Sequence, residues 1–428
     1  MTPKLTAATH NYYQATANPA PDHPALQGAG AADVCVIGGG VAGCSTALHL
    51  AQRGYRVVLL EAAGIGFGAS GRSGGQLLPG YSSGQSPLQT QLGAQVAQQL
   101  WDLSVEAVQL TTQLIARHRI ECDLHYGHLD VAIKPRQLTE LRRYQHELED
   151  RYQYRSLQHL DRSELRNWLA SKRYCGGLHD SASAHVHPLN YTLGLAQAAV
   201  AAGATVHEHS QVLNITGDRT LHIHTAQGSI TAKQAVLCCN AYVGALAPTL
   251  AQRIMPVGTY IIATESLGAE RMQALMPHNV AVADTNFILD YFRRSADHRL
   301  LFGGRISYSG YDFRDTAAAT GKRMLQVFPQ LQDVRIEYSW GGLMDISFNR
   351  APDFGRLQDN IYYLQGFSGH GMALAGLAGK LVAETIAGQA ERFDLFARIR
   401  HRHFPGGQSL RTPALVLAML WYRLRDLL

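Results

Sequence analysis

The stretch VCVIGGGVAGCSTALHL, residues 34–50, constrains this chain more than any other. Val34 to Ile37 is a short β-branched run of the kind buried in parallel sheets. Gly38, Gly40 and Gly43 then fit G-x-G-x-x-G, and Val41 to Gln52 follows as a helix with Ala42, Gly43, Ser45 and Ala47 on its first turns. In such a strand–turn–helix unit the first glycine permits the tight turn. The second lets a pyrophosphate approach the backbone, and the third lets the helix pack closely on the strand. The helix N-terminus offers unpaired N–H groups and a partial positive charge. A second strand, Arg56 to Leu60, ends in Glu61, which lies 18 residues after Gly43. That is close to the ~20 expected for a carboxylate that takes ribose hydroxyls, and an acid there disfavours a 2′-phosphate. A glycine turn without a ligand is the alternative. The strand, helix and acid around the motif argue for a dinucleotide.

The chain has 428 residues, room for two domains with sizeable cores. A hydrophobic fraction of 46% with 17% charged residues is ordinary for a soluble protein. The net charge of +5 is scattered, which does not argue for nucleic acid. Cys35, Cys44, Cys122, Cys175, Cys238 and Cys239 form no C-x-x-C pair, a pattern suited to a reducing cytosol, so a cytoplasmic location is expected. Residues 1–30 read as an N-terminal arm without an apolar leader. No run reaches ~18 apolar residues, so no transmembrane helix is expected. Pro413 to Tyr422 with Arg423 and Arg425 makes 413–425 a candidate for peripheral membrane contact. With 20 histidines, H-x-H pairs such as His185/His187 arise by chance, and no metal is expected.

Along the chain, AAGIGFGASGRSGGQLLPGYSSGQ after Glu61 is a long glycine- and serine-rich loop of the kind that carries function. Gln89 to His118 has apolar residues at helical spacing, Arg136 to Arg151 is a charged helix, and Leu189 to Ala202 is helical. Thr205 to Asn240 reads as short strands. Ile254 to Trp340 alternates as strands do, interrupted by one helix, Ala317 to Phe328. Ile361 to Gln365 is a strand followed by GFSGHGMALAGLAGKLVAETIAG, a second glycine turn opening a helix. Strand–glycine–helix units at both ends predict an α/β fold, α+β overall. Its discontinuous Rossmann-like domain comprises 31–85, 155–250 and 345–390. An inserted antiparallel-sheet substrate or cap domain comprises 86–154 and 251–344, and 391–428 is a helical tail.

These residues together resemble the FAD-dependent amine and amino-acid oxidases of the D-amino-acid oxidase, glycine oxidase and sarcosine oxidase family. The parts that carry the resemblance are VIGGGVAG…LLE, GASGRSGGQL, the strand before Cys238-Cys239-Asn240-Ala241, and GFSGHGM. The bacterial γ-glutamylputrescine oxidases are the nearest-looking subgroup, through Asn11-Tyr12-Tyr13, Phe67 to Arg72, His187-Pro188-Leu189, Trp340-Gly341-Gly342 and Asn349 to Gly355. The resemblance implies FAD. Beside Gly38, Gly40, Ala42, Gly43 and Glu61 it places Ala62, Ala69, Ser70, Gly74, Gly75, Gln76, Val212, Gly369, His370, Gly371 and Met372 at the cofactor. The helix starting near Gly371 would aim its N-terminus at the flavin pyrimidine, and a positive His370 would add to that field. Family members with covalent FAD use a cysteine near Met344, and its absence here implies non-covalent FAD.

The reaction implied is oxidation of a carbon bearing an uncharged amine, with electrons passed to O2 to give H2O2. Where sarcosine oxidases carry a lysine that grips the substrate carboxylate, this chain has Ala373, which disfavours a small α-amino acid. A long amine such as γ-glutamylputrescine, a product of putrescine catabolism, fits better. Arg305 is a candidate for its remote end, and Tyr260, Tyr291 and Trp340 for an apolar channel; plain core and surface roles are the alternatives. A dehydrogenase passing electrons to a membrane carrier, and a glycine- or sarcosine-type oxidase, stand as alternative activities.

Overall fold

The computed structural model describes residues 11–404, apart from 287, 308–315 and the side chains of 305–307. The expected membrane-contact segment 413–425 lies outside the described residues. In chain order the first strands are β1 (Gly28–Ile37), β2 (Val57–Leu60), β3 (Gln76–Leu77), β4 (His125–Ala132), β5 (Leu157–Leu160), β6 (Gly176–His185), β7 (Thr205–His207), β8 (Asn214–Thr216), β9 (Leu221–His224) and β10 (Gly228–Leu237). The later ones are β11 (Ile254–Thr264), β12 (Ala281–Asp284), β13 (Tyr291–Arg294), β14 (Leu300–Ser307), β15 (Ile336–Ser347), β16 (Asp353–Gln358) and β17 (Ile361–Gln365).

The first sheet runs β16-β17-β10-β1-β2-β7, with β8 and β9 attached to β10. β17, β10, β1, β2 and β7 are mutually parallel, with Ile37 opposite both Leu60 and Leu237. The chain passes from β1 to β2 on one side, while β10 and β17 join on the other. The carboxyl end of β1 is therefore a topological switch point, where open α/β sheets bind ligands. The helix Val41–Ala51 after β1 is buried along its whole length. It lies against the helix Gly371–Ile386, where Ser45 Oγ donates to the Gly376 carbonyl at 2.6 Å. Leu48, Leu100, Leu377 and Leu381 share one core with no exposed surface, each contributing roughly 1.5–3 kcal/mol.

The second sheet runs β15-β11-β14-β13-β12-β4-β6-β3, with β5 on β6. Its register separates two faces. Leu129, Val282, Phe292, Phe302 and Ile262 align across five strands on one face, under Met272, Leu275, Met324 and Val327 of the helices Gly268–Leu275 and Thr316–Val327. The next row, Asp130, Ala283, Tyr291, Gly303, Ile261 and Trp340, aligns on the other face.

Several expectations are corrected. The second sheet is antiparallel except for β4 and β12, which run parallel. β5 and β6, expected with residues 155–250 in the nucleotide domain, pair into the second sheet, because β6 finds its partners in β3 and β4. The helix expected over Gln89 to His118 is two helices, Gln85–Leu92 and Ala94–His118, broken at Gly93 with φ +86°. The second of these was assigned to the cap by the 86–154 boundary, yet Leu100, Leu103 and Leu110 pack into the core of the first sheet. A second helix, Gly268–Leu275, interrupts the strand-rich region. Within the arm Tyr12–Ala15 is a helix capped by Asn11, and Tyr12 and Tyr13 are buried on the second sheet. β1 begins at Gly28 rather than Val34, because β10 pairs with its whole length.

Candidate active site

The first glycine turn follows β1. Gly38 has φ +112°, and a Cβ there would lie 2.5 Å from the Cys238 carbonyl oxygen at the end of β10. A Cβ on Gly43 would lie 1.8 Å from the Gly38 oxygen, so the helix rests directly on the turn. At the end of β2, the Gly39 N–H donates to Glu61 Oε2 at 2.6 Å and the Ala63 N–H to Oε1 at 2.8 Å. Burial raises the Glu61 carboxyl, and the two N–H donors oppose that. Ala62 lies between these donors, half-buried, and Ala42 is buried in the first helical turn. Val212 is buried beside Ile37, Val58 and Leu60, in the loop between β7 and β8 rather than in a strand. Its neighbour Ser210 donates its N–H to the Glu61 carbonyl at 2.7 Å. The fold thus gathers Gly38, Gly40, Ala42, Gly43, Glu61, Ala62 and Val212 at one edge.

The long glycine loop crosses this edge. Ala69–Gly71 is a 3-10 turn whose Ser70 Oγ accepts the Val41 N–H at 3.0 Å, at the N-terminus of the nucleotide helix. A Cβ on Gly40 would meet that oxygen at 2.7 Å. Arg72, which composition and motif did not single out, donates from Nε to Phe67 O at 2.7 Å and from Nη1 to Gly341 O at 3.1 Å. Its Nη2 is buried without a partner. Arg72 is the one charged side chain in a loop of glycine and serine, and that contrast was the available signal. Gly74 lies against the Tyr291 ring, and its carbonyl accepts Arg293 Nε at 2.8 Å. Arg293 is buried and also donates to Val186 O and the Tyr13 hydroxyl. Gly75 precedes β3, where Gln76 pairs with His185.

The second glycine turn follows β17. Gly366 N–H donates to Asp345 Oδ2 on β15, a buried carboxyl whose pKa burial pushes up to about 7. Gly369 lies beside Met344, whose Sδ would be 3.2 Å from a Cβ there. His370 caps the helix that starts at Gly371, with Met372 buried in its first turn. Pro79 O lies 3.0 Å from His370 Nε2; a carbonyl only accepts, so the proton sits on Nε2. Burial lowers the ring's proton affinity. His370 is therefore neutral at pH 7 and adds no positive charge, contrary to the expectation. The field at this turn comes from the helix N-terminus, with the Arg350 charge also acting on the ring.

Of the other expected residues, Trp340 is 1% exposed, donates Nε1–H to Arg72 O at 3.0 Å, and meets the Tyr13 ring edge-on at 5.2 Å. It is core that positions the glycine loop, not a channel wall. Tyr260 is opposite Gly341 and Trp340 opposite Ile261, so the two occupy opposite faces of the sheet and do not line one wall. Arg305 pairs with Tyr260 in register; its side chain lies outside the described residues.

The residues present fit a long dinucleotide. A glycine turn and a helix N-terminus face an acid that ends the next strand, with an unpartnered guanidinium nitrogen and a second helix N-terminus nearby. Comparison with known proteins bears on which one. The family described as "DAO: FAD dependent oxidoreductase" matches residues 33–385. The chain is 43% identical over 423 residues to "Gamma-glutamylputrescine oxidoreductase" of Escherichia coli (strain K12), covering 99% of each. It is 38% identical over 421 residues to "Probable oxidoreductase OrdL" of Haemophilus influenzae, covering 97% of each. The crystal structure of glycine oxidase from Geobacillus kaustophilus superposes with a TM-score of 0.74 at 22% identity, over 87% of this chain and 100% of that one.

Proposed function

This chain belongs to the family of FAD-dependent oxidoreductases, and on that premise we propose that it oxidises the primary amine of γ-glutamylputrescine in the cytoplasm, with O2 as electron acceptor. The observation that carries the substrate is the 43% identity over essentially the whole chain to a γ-glutamylputrescine oxidoreductase. The balance is R–CH2–NH2 + O2 + H2O giving R–CHO, NH3 and H2O2. FAD supplies the two-electron acceptor for the C–H bond next to the amine. The chain's own residues supply binding and orientation. The Gly38–Gly43 turn with Glu61 and Val212 would hold the adenosine and pyrophosphate. Ala69, Ser70, Gly74, Gly75 and Gln76 would hold the ribityl chain and ring, and Gly369 to Met372 the pyrimidine end. We assign non-covalent attachment, with Met344 where covalent relatives carry cysteine.

Ala373 is buried in the helix after the second turn and presents no charge. Nothing there clamps a carboxylate close to the reacting carbon, which supports a long amine over glycine or sarcosine. Burial lowers the proton affinity of His370, which makes its Nδ1 a weak base. The substrate amine must therefore arrive uncharged, and the rate is expected to rise toward alkaline pH. Among the described residues no helix is long and apolar enough to cross a membrane. All six cysteines are free, which supports a reducing compartment.

The test is a panel of amines with the purified yellow protein, read as peroxide under air. γ-Glutamylputrescine is expected to be best, and glycine, sarcosine and D-alanine poor. Acid precipitation is expected to release intact FAD. Glycine or sarcosine as the best substrate overturns the reading, and flavin turnover without peroxide replaces O2 with another acceptor. Arg305→Ala is expected to weaken γ-glutamylputrescine and spare putrescine; equal losses remove Arg305 from the site.

A further inference from the structure

Arg293 on β13 carries a charge that its bonding partners do not balance. The residue is 4% exposed. Its Nε donates to Gly74 O at 2.8 Å and its Nη1 to Arg294 O at 3.3 Å. Its Nη2 donates to Val186 O at 3.0 Å and to the Tyr13 hydroxyl at 3.1 Å. Three of these acceptors are backbone carbonyls, and burial raises the Tyr13 phenol, which stays protonated. The acids that flank Arg293 in sequence are engaged elsewhere, Asp290 with Arg323 and Asp297 with Arg299, each at 2.6 Å. A buried cation held by neutral groups is costly, and negative charge from outside the chain offsets that cost. The neighbouring imidazoles do not share the charge: burial, and then Arg293 itself, lower the proton affinity of His185 and His187.

The same bonds show which segment the guanidinium acts on. Gly74 lies in the glycine loop, Val186 follows β6, and the Val186 N–H donates back to Gly75 O at 2.9 Å. The planar fork thus clamps the Gly74-Gly75 segment against the end of β6. Gly75 has φ +75°, and a Cβ there would lie 2.1 Å from Val186 O, so the clamp leaves no room for a side chain. In a trans peptide the carbonyl and the following N–H point in opposite directions. The Gly74 carbonyl faces Arg293, so the Gly75 N–H faces away from it. On that side Ser73 Oγ is its acceptor among the described residues, at a long 3.3 Å. A charged donor on the carbonyl polarises the peptide and strengthens that N–H as a donor.

We propose that Arg293 is a positioning residue for the flavin: it fixes the Gly74–Gly75 peptide against the ring and supplies through it a positive charge that favours the reduced, more negative cofactor. This rests on the proposed placement of the ring on Gly74 and Gly75 and deepens it. His370, being neutral, does not supply that charge.

The test is the two-electron midpoint potential of the FAD-loaded protein, measured by equilibration with a reference dye. The visible flavin spectrum, the affinity of the apoprotein for oxidised FAD and the Tm are read beside it. Arg293→Gln keeps a donor for Gly74 O and loses the charge. Its preference for reduced over oxidised FAD is expected to fall at least tenfold, which lowers a two-electron potential by about 30 mV. Arg293→Lys keeps the charge and loses the fork. It is expected to retain most of the wild-type potential while loosening FAD and lowering Tm. Tyr13→Phe removes one acceptor and leaves the charge and the Gly74 bond in place, so its potential is expected to match wild type. A Gln variant at wild-type potential overturns the proposal, and so does a Lys or Tyr13→Phe variant that falls as far as Gln. Should the Gln variant fail to load FAD, the Lys variant decides: a retained potential supports the charge, and a tenfold fall overturns it. The spectrum separates the premise from the proposal. Spectra unshifted in both Arg293 variants take the ring off Gly74–Gly75, and both fail. Shifted spectra at wild-type potential leave the ring in place and overturn the role of the charge. None of these readings uses a substrate, so a wild-type enzyme that does not oxidise γ-glutamylputrescine refutes the proposed substrate while the potentials still decide on Arg293.

Discussion

Gly43→Ala is the substitution whose effect follows most directly from the geometry. The new methyl carbon would sit 1.8 Å from the Gly38 carbonyl oxygen, where contacts under 3.0 Å are not sustained. The helix Val41–Ala51 must therefore withdraw from the turn by about 1.2 Å, the difference between those two distances. It has nowhere to go. On its other side a Cβ on Gly379 would already lie 2.6 Å from the Thr46 nitrogen, and Ser45 Oγ is bonded to the Gly376 carbonyl. The obstruction is backbone on backbone, so no side chain can rotate to relieve it. Overpacking of this kind costs at the upper end of its usual range, about 3 kcal/mol. For a domain of this size that corresponds to a fall in Tm of roughly 6–12 °C. Thermal melts of the apoprotein, and again with added FAD, measure both the packing loss and the loss of cofactor stabilisation. Gly40→Ala is the control. Its methyl meets only Ser70 Oγ, at 2.7 Å, and that side chain can turn away. The Gly40→Ala apoprotein is expected to lose only the Ser70–Val41 hydrogen bond, about 1 kcal/mol or roughly 2–4 °C in Tm, while binding FAD less tightly. A Gly43→Ala protein that loads FAD fully and melts like wild type would refute the reasoning about how this turn is packed.

Glu61→Gln removes the charge from an acceptor of two backbone N–H groups, and FAD affinity is expected to fall roughly ten- to a hundredfold, read by titrating the apoprotein; unchanged affinity takes Glu61 out of the cofactor site. Trp340→Phe leaves the Arg72 carbonyl without its indole donor and is expected to cost about 1–3 kcal/mol, seen as a lower Tm and looser FAD rather than as altered substrate preference; a changed preference would make Trp340 a channel residue after all. Acidification should destabilise the protein through histidines buried in the neutral form. His187 Nδ1 accepts the Asn190 N–H as a helix cap, and burial pushes its pKa down to about 3, with His49 and His128 at about 4. Between pH 6.5 and 4 the unfolded chain binds more protons at these sites, so stability falls as pH falls, by roughly 1.4 kcal/mol per pH unit per histidine. Urea midpoints across that window that stay level would show that these rings are already charged in the native state.

Much of the glycine turn after β1 and its surroundings was legible in the sequence because it is built from local chemistry. A β-branched run, three spaced glycines and an acid after the next strand specify a turn, a helix start and a hydrogen-bond acceptor within thirty residues. The second glycine turn at Gly366 to Gly371 announces itself in the same way. What the sequence could not settle is everything that depends on a partner far along the chain. β6 reads as an extended segment wherever it lies, and only its pairing with β3 and β4 assigns it to the second sheet. Period-two alternation says that Tyr260 and Ile261 point to opposite faces, but which face meets the glycine loop depends on Trp340 and Gly341, some 80 residues later. His370 reads as a possible cation beside a cofactor, yet the Pro79 carbonyl, 291 residues away, and its burial make it neutral. Turn and helix-start preferences act over a few residues and so can be read along the chain. Charge state and the facing of a sheet are set by desolvation and register, which exist only once distant segments have met.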